Sequence, residues 1–98
     1  MTAIEGARPT DETRRYGVLV VDDEDAILES IELTLGSEYR VFTATSARAG
    51  LEILDREDIA LVISDQVMPG MSGVEFFEKV IERSPRAIRI LLTGYSDM

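Results

Sequence analysis

Apolar and polar positions fall in blocks along the chain. Met1–Arg15 is polar, holds Pro9 and shows no apolar period, which predicts a loose leader. Gly17–Val21 is then an unbroken apolar run rich in valine, the pattern of a strand covered on both faces, and it ends in Asp22-Asp23-Glu24-Asp25. In Ala26–Leu35, Ile27, Ile31 and Leu35 recur every fourth residue with Leu28 beside them, one stripe of a helix. Asp25 is placed to cap its start, and Gly36 to end it as a left-handed residue. Tyr39–Thr45 reads as a second strand. Ser46 then caps a helix over Ala47–Asp55, with Ala47, Leu51 and Leu54 on one face. Ile59–Ser64 is a third apolar strand ending at Asp65, and Gln66–Ser72, with Met68-Pro69-Gly70, is a loop. Gly73–Arg83 predicts a third helix with Val74, Phe77, Val80 and Ile81 on one side, stopped by Ser84-Pro85. Ala87–Leu92 is a fourth strand, followed by a Thr93–Met98 tail.

Strands alternating with helices predict a parallel α/β sheet in one domain, spanning about residues 16–98 after the 1–15 leader. Met68, Phe76 and Phe77 are expected in its core. Composition narrows the chemistry. The 98 residues contain neither Cys nor His, which removes disulfides, thiolate nucleophiles and the commonest general base. Lys and Arg number 10 against 19 Asp and Glu, a net charge of −9, which argues against nucleic acid or an anionic membrane as direct partners. The same charge suits a partner with a basic surface, or a hard cation. Apolar runs such as Ile59–Ile63 fall far short of the roughly 20 residues that span a bilayer, and the first residues lack a secretory pattern, so a cytoplasmic location is expected.

Ligands of an open parallel sheet bind outside the carboxyl ends of its strands. Strand one ends at Asp22-Asp23, strand three at Asp65 and strand four at Thr93. If strands one and three are neighbours, three carboxylates converge, each raising the others' pKa unless a divalent cation offsets the repulsion. Mg²⁺ suits such a site because it takes a few carboxylates and keeps several waters. A carboxylate is also a nucleophile toward phosphorus, and Asp65, alone at a strand end before a loop, is the best-placed acceptor. Asp22 and Asp23 are then the metal holders, and the Thr93 hydroxyl is placed to meet a phosphoryl oxygen.

Three stretches together resemble the receiver domain of bacterial two-component response regulators: VLVVDDE at 18–24, SDQVMPGMSGVEF at 64–76 and ILLTGY at 90–95. The resemblance implies a doubly wound, flavodoxin-like α/β fold, here truncated to about four strands and three helices. It also implies a signalling role that takes a phosphoryl group from a sensor histidine kinase or phosphotransfer protein. By position, Asp65 corresponds to the phosphoacceptor and Asp22 and Asp23 to the acidic pair for Mg²⁺. Val67 corresponds to the residue whose backbone carbonyl completes the metal site, and Thr93 to the switch hydroxyl. The implied activity is acceptance of a phosphoryl group, at most self-phosphorylation and autodephosphorylation, and not turnover of a substrate. In the family a lysine and an aromatic switch residue follow on a fifth strand, whereas this sequence runs five residues past Thr93, to Met98. Lys79, its one lysine, precedes Thr93 and is not expected to take the family lysine's place. A fragment of a longer regulator is therefore expected, with a natural short form as the alternative.

Two other readings stay open. One is a non-signalling α/β dimerisation module. The other is a phosphohydrolase with an aspartyl nucleophile, disfavoured because Val67 stands where such enzymes place an acid/base Asp. The family strand order, 2-1-3-4-5, would leave strand four, Ala87–Leu92, at the edge. One apolar face of Val18–Val21 and Ile59–Ile63 would meet water, and a homodimer through the strand-four edge is the expected remedy.

Overall fold

The computed structural model describes residues 16–92, so the leader, Thr93 and the rest of the tail lie outside the described residues. In chain order the elements are β1 (Gly17–Val21), α1 (Asp25–Leu35), β2 (Arg40–Ala44), α2 (Ala47–Arg56), β3 (Ile59–Asp65), α3 (Gly73–Arg83) and β4 (Ile88–Leu92). The four strands form one sheet in the order β2-β1-β3-β4, every pairing parallel. β1, next to the middle, is buried along its whole length, as its valine run predicts for a strand covered on both faces.

Alternate residues of the strands feed two separate cores. Leu19, Val21 and Val62 point to the α2 and α3 side, where they meet Leu51, Leu54, Phe76 and Val80. Val18, Val20 and Ile63 point to the other side, where Leu28 is the buried residue of α1 and Ile31 and Leu35 pack beside it. Val18 and Val20 are thus covered, contrary to the expectation that this face of β1 meets water; the α1 stripe lies on it. The opening is displaced towards β4. There Ile88, Ile90 and Leu92 pair in register with Leu61, Ile63 and Asp65 and stand on the α1 side, 64%, 43% and 38% exposed.

Three local expectations change. α1 begins at Asp25 itself, with Glu24 in the capping position and no side-chain cap bond. Gly36 is right-handed, with φ −66° and ψ −20°, so the chain leaves α1 through a further turn in which the Gly36 and Tyr39 amides bond the Glu32 and Leu35 carbonyls. α3 buries Gly73, Phe76 and Val80, while Val74 and Ile81 are exposed and Phe77 is only partly covered. The cause lies at its first residue. A Cβ on Gly73 would lie 2.6 Å from the Asp65 carbonyl oxygen and 2.5 Å from Leu91, so α3 starts pressed against β3 and β4. That contact turns positions 73, 76 and 80 inward. No helix among the described residues is long and apolar enough to cross a membrane.

Candidate functional site

β1 and β3 are neighbours, and the pairing of Val21 with Ser64 brings both chains to their carboxyl ends at the same level. The next residues are Asp22 and Asp23 on one strand and Asp65 on the other. A carboxylate oxygen from each of the three lies within 4.8 Å of the others. Asp22 is buried, at 6% exposure, while Asp65 is half-buried and Asp23 is exposed.

Backbone amides hold these side chains in place. The Asp22 N–H donates to the Ala44 carbonyl at 3.1 Å, continuing the β1–β2 ladder, and Asp22 Oδ1 accepts the Glu24 N–H at 2.9 Å. Burial pushes the Asp22 carboxyl above the ordinary aspartate value of 3.8; the Glu24 amide works against that rise, and the charges of Asp65, Asp23 and Glu24 add to it. Asp65 Oδ1 accepts the N–H of Gln66 at 2.9 Å. The Ser64 hydroxyl, fully buried, donates to the Asp65 carbonyl at 2.9 Å and lies 3.8 Å from Met68 Sδ. Met68 is itself buried in the α2–α3 core and so anchors the first part of the loop after Asp65.

No ion pair among the described residues reaches the three carboxylates; the pairs found are Arg40–Glu57, Arg56–Glu57 and Arg83–Asp55. A buried acid among like charges with no cationic side chain beside it is the setting in which a bound cation removes repulsion. The donors are all oxygen, which suits a hard divalent ion over a soft one.

The structure therefore brings together Asp22, Asp23 and Asp65 as the sequence predicts. Val67 follows in the loop with its apolar side chain 74% exposed, which supplies no acid/base group for a phosphohydrolase. Thr93 lies outside the described residues. Lys79 lies in a groove between α2 and α3, lined also by Arg48, Leu51, Glu52 and Asp55. Sequence reading missed Gln66 and Gly73, which tie the end of β3 to α3. One signal for that junction was present: Ser72 and Glu75 have the spacing of a capping box, and the structure shows both of its bonds.

Ligands of an open parallel α/β sheet bind outside the carboxyl ends of its strands, where this acidic cluster lies. Comparison with known proteins then assigns the chain. It belongs to the response regulator receiver domain family, whose model matches residues 18–98. Over 80 residues, 82% of the chain, it is 44% identical to the hydrogenase transcriptional regulatory protein HoxA of Cupriavidus necator, and it spans 17% of that protein's length. A CheY-like response regulator receiver domain protein from Methanospirillum hungatei superposes with a TM-score of 0.78 at 36% identity, covering 82% of this chain and 65% of that one. The Thermotoga maritima response regulator TrrA, solved in complex with Mg²⁺-BeF, gives a TM-score of 0.75 at 36% identity, covering 84% of this chain and 72% of that one.

Proposed function

We propose that this receiver domain accepts a phosphoryl group on Asp65 from the phosphohistidine of a sensor histidine kinase or phosphotransfer protein. The observation that carries the reading is the convergence of three carboxylates within 4.8 Å at adjoining strand ends, with Asp65 heading the loop to α3. A free carboxylate oxygen of Asp65 attacks phosphorus. The O–P bond forms, the P–N bond breaks, and its electron pair returns to the imidazole nitrogen. Mg²⁺ is the cation in this reading, held by Asp22, Asp23, Asp65 and the Val67 backbone carbonyl. When bound it would neutralise the charge on the phosphoryl oxygens and let the buried Asp22 stay ionised beside its acidic neighbours. The likeness to TrrA, which was solved with Mg²⁺ and a fluoride of beryllium, supports the choice of ion and ligand. Thr93 is the proposed hydroxyl donor to a phosphoryl oxygen.

The domain works in the cytoplasm in this reading, docks a partner through a basic surface that its net charge of −9 attracts, and acts as an acceptor instead of turning over a substrate. A second copy is the proposed partner of the β4 edge, where Ile88, Ile90 and Leu92 stand exposed. Intact-mass spectrometry after incubation with Mg²⁺ and a small acyl phosphate tests the acceptor. A phosphoryl adduct is expected on the wild type and none on Asp65→Asn. An adduct that persists in the variant moves the acceptor elsewhere. No adduct on the wild type favours the non-signalling dimerisation module.

A further inference from the structure

The first turn of α3 has four backbone amides without an intrahelical acceptor, and the structure satisfies all of them. Ser72 N–H donates to Glu75 Oε1 at 3.0 Å, and Glu75 N–H to Ser72 Oγ at 3.1 Å. The other two belong to Gln66. Gly73 N–H donates to the Gln66 carbonyl at 2.9 Å, and Val74 N–H to its side-chain Oε1 at 3.1 Å. Gln66 also donates its own N–H to Asp65 Oδ1. One residue thus holds the acceptor carboxylate by its amide and the start of a helix by both of its carbonyl oxygens. The absence of a side chain at Gly73 lets that helix close directly onto the Asp65 backbone.

We infer that Gln66 is a positioning residue that fixes the Asp65 carboxylate and couples its chemical state to the N-terminus of α3. The inference rests on the reading of Asp65 as the acceptor. A hydrogen bond from an amide to a carboxylate is strengthened by the charge on the oxygen. Phosphorylation turns the Asp65 carboxylate into an acyl phosphate and moves the negative charge out to the phosphoryl oxygens, so the Gln66 N–H loses a strong acceptor and the peptide unit that carries it readjusts. Both oxygens of Gln66 are bonded to α3, so the readjustment reaches the Gly73 and Val74 amides. In the resting state the same amide occupies Oδ1 and leaves Oδ2 as the oxygen free of this bond.

The test uses the 98-residue chain labelled with ¹⁵N, as wild type, Gln66→Met and Gln66→Glu. Methionine keeps the length and removes the Val74 acceptor, while glutamate keeps an acceptor oxygen. With Mg²⁺ and beryllofluoride as the phosphoryl probe, the Gly73 and Val74 amide resonances of the wild type are expected to shift. In Gln66→Met, hydrogen exchange at Val74 is expected to rise about fivefold, the factor matching one lost hydrogen bond of about 1 kcal/mol. The Val74 response to the probe should vanish while that of Gly73, which bonds the backbone carbonyl, remains. The rate of adduct formation with the acyl phosphate should fall severalfold. Gln66→Glu should recover the Val74 response. If Gln66→Met does not fold, Gln66→Ser, too short to reach Val74, takes its place. A wild-type Val74 response and adduct rate in Gln66→Met reduce Gln66 to a helix cap and overturn the inference alone. A wild type that neither forms the adduct nor responds to the probe overturns the acceptor reading, and this inference with it.

Discussion

On one face of the sheet α2 and α3 lie side by side, and the core beneath them runs from Ala44 and Ala47 through Leu19, Val62 and Phe76 to Ala87. On the other face α1 is the one helix among the described residues, lying over Val18, Val20 and Ile63, and the surface opens at Ile88, Ile90 and Leu92. The loop after Asp65 belongs to the first face: Met68 is buried in its core, and Gln66 is bonded to α3. The Asp65 carboxylate is thereby set beside the densely packed side, where rotamers have little freedom. The sparse side carries no such constraint and keeps apolar surface available to another chain. The asymmetry thus sets a densely packed half, which carries the acid cluster, against an open half, which leaves apolar side chains exposed.

The largest expected effect tests that division directly. Phe76 is fully buried in the larger core, whereas Leu28 belongs to the smaller one, in which Val18, Val20 and Ile63 are the other buried residues. Phe76→Ala is expected to cost about 4 kcal/mol and Leu28→Ala about 2 kcal/mol, the upper and lower parts of the range for buried truncations. Urea denaturation monitored by circular dichroism measures both. Since a small domain has roughly 5–15 kcal/mol in all, Phe76→Ala should shift the midpoint severely. Equal costs at the two positions would show that the faces are packed alike.

A smaller effect concerns the ends of β1 and β3. Asp22 has its carboxyl raised above 3.8 by burial first and by neighbouring acids. A raised folded-state value means that the folded protein favours the protonated acid. The stabilisation is full below the unfolded value and is lost as pH rises through the folded one. In chelator, Asp22→Asn should therefore melt above the wild type at neutral pH, and the gap should close as the pH falls through the acid range. Saturating Mg²⁺ should reverse the order, because a ligand at a hundred times its Kd adds about 2.7 kcal/mol to the state that binds it. Thermal melts across pH, with and without Mg²⁺, read both effects. A wild type insensitive to the ion at neutral pH would detach the acid cluster from metal binding.

Much of this was legible in the residues. The valine run Val18–Val21 marked a doubly covered strand, and the βαβ alternation led to a parallel sheet whose order β2-β1-β3-β4 is found. Asp22, Asp23 and Asp65 were legible because strand ends are fixed by where apolar runs stop. The face of α3 was misjudged because its rotation is decided by one tertiary contact, Gly73 against the Asp65 carbonyl, which no period encodes. In that helix Val74 has the hydropathy of a core residue and lies 47% exposed. The end of α1 was misjudged because a glycine after a helix permits a left-handed cap without requiring one, and Gly36 continues as a turn. Gln66 escaped notice because a polar residue in a loop carries no signal until its acceptors are known.

The smallest effect on the isolated fold decides whether the open half associates. The two edges of the sheet differ. On β2, Arg40 lies 5.6 Å from the Phe42 ring centre and pairs with Glu57 at 3.9 Å, placing charge on that edge. On β4, Ile88, Ile90 and Leu92 offer apolar side chains beside a strand that pairs only with β3 among the described residues. Such an edge invites a second chain, and a lysine blunts it. Ile90 is 43% exposed, so Ile90→Lys should change the stability of a lone copy by no more than about 0.5 kcal/mol. The same change places a charge inside any dimer that pairs or covers β4. Light scattering over a dilution series is expected to show a wild-type mass falling from dimer to monomer, with Ile90→Lys monomeric throughout. Their melting temperatures should converge at the dilute end and separate at the concentrated end, because association stabilises only the species that associates. A wild type that is monomeric and cooperatively folded at every concentration would remove the second copy as the partner of β4. A dimer that survives Ile90→Lys would move the interface to another surface.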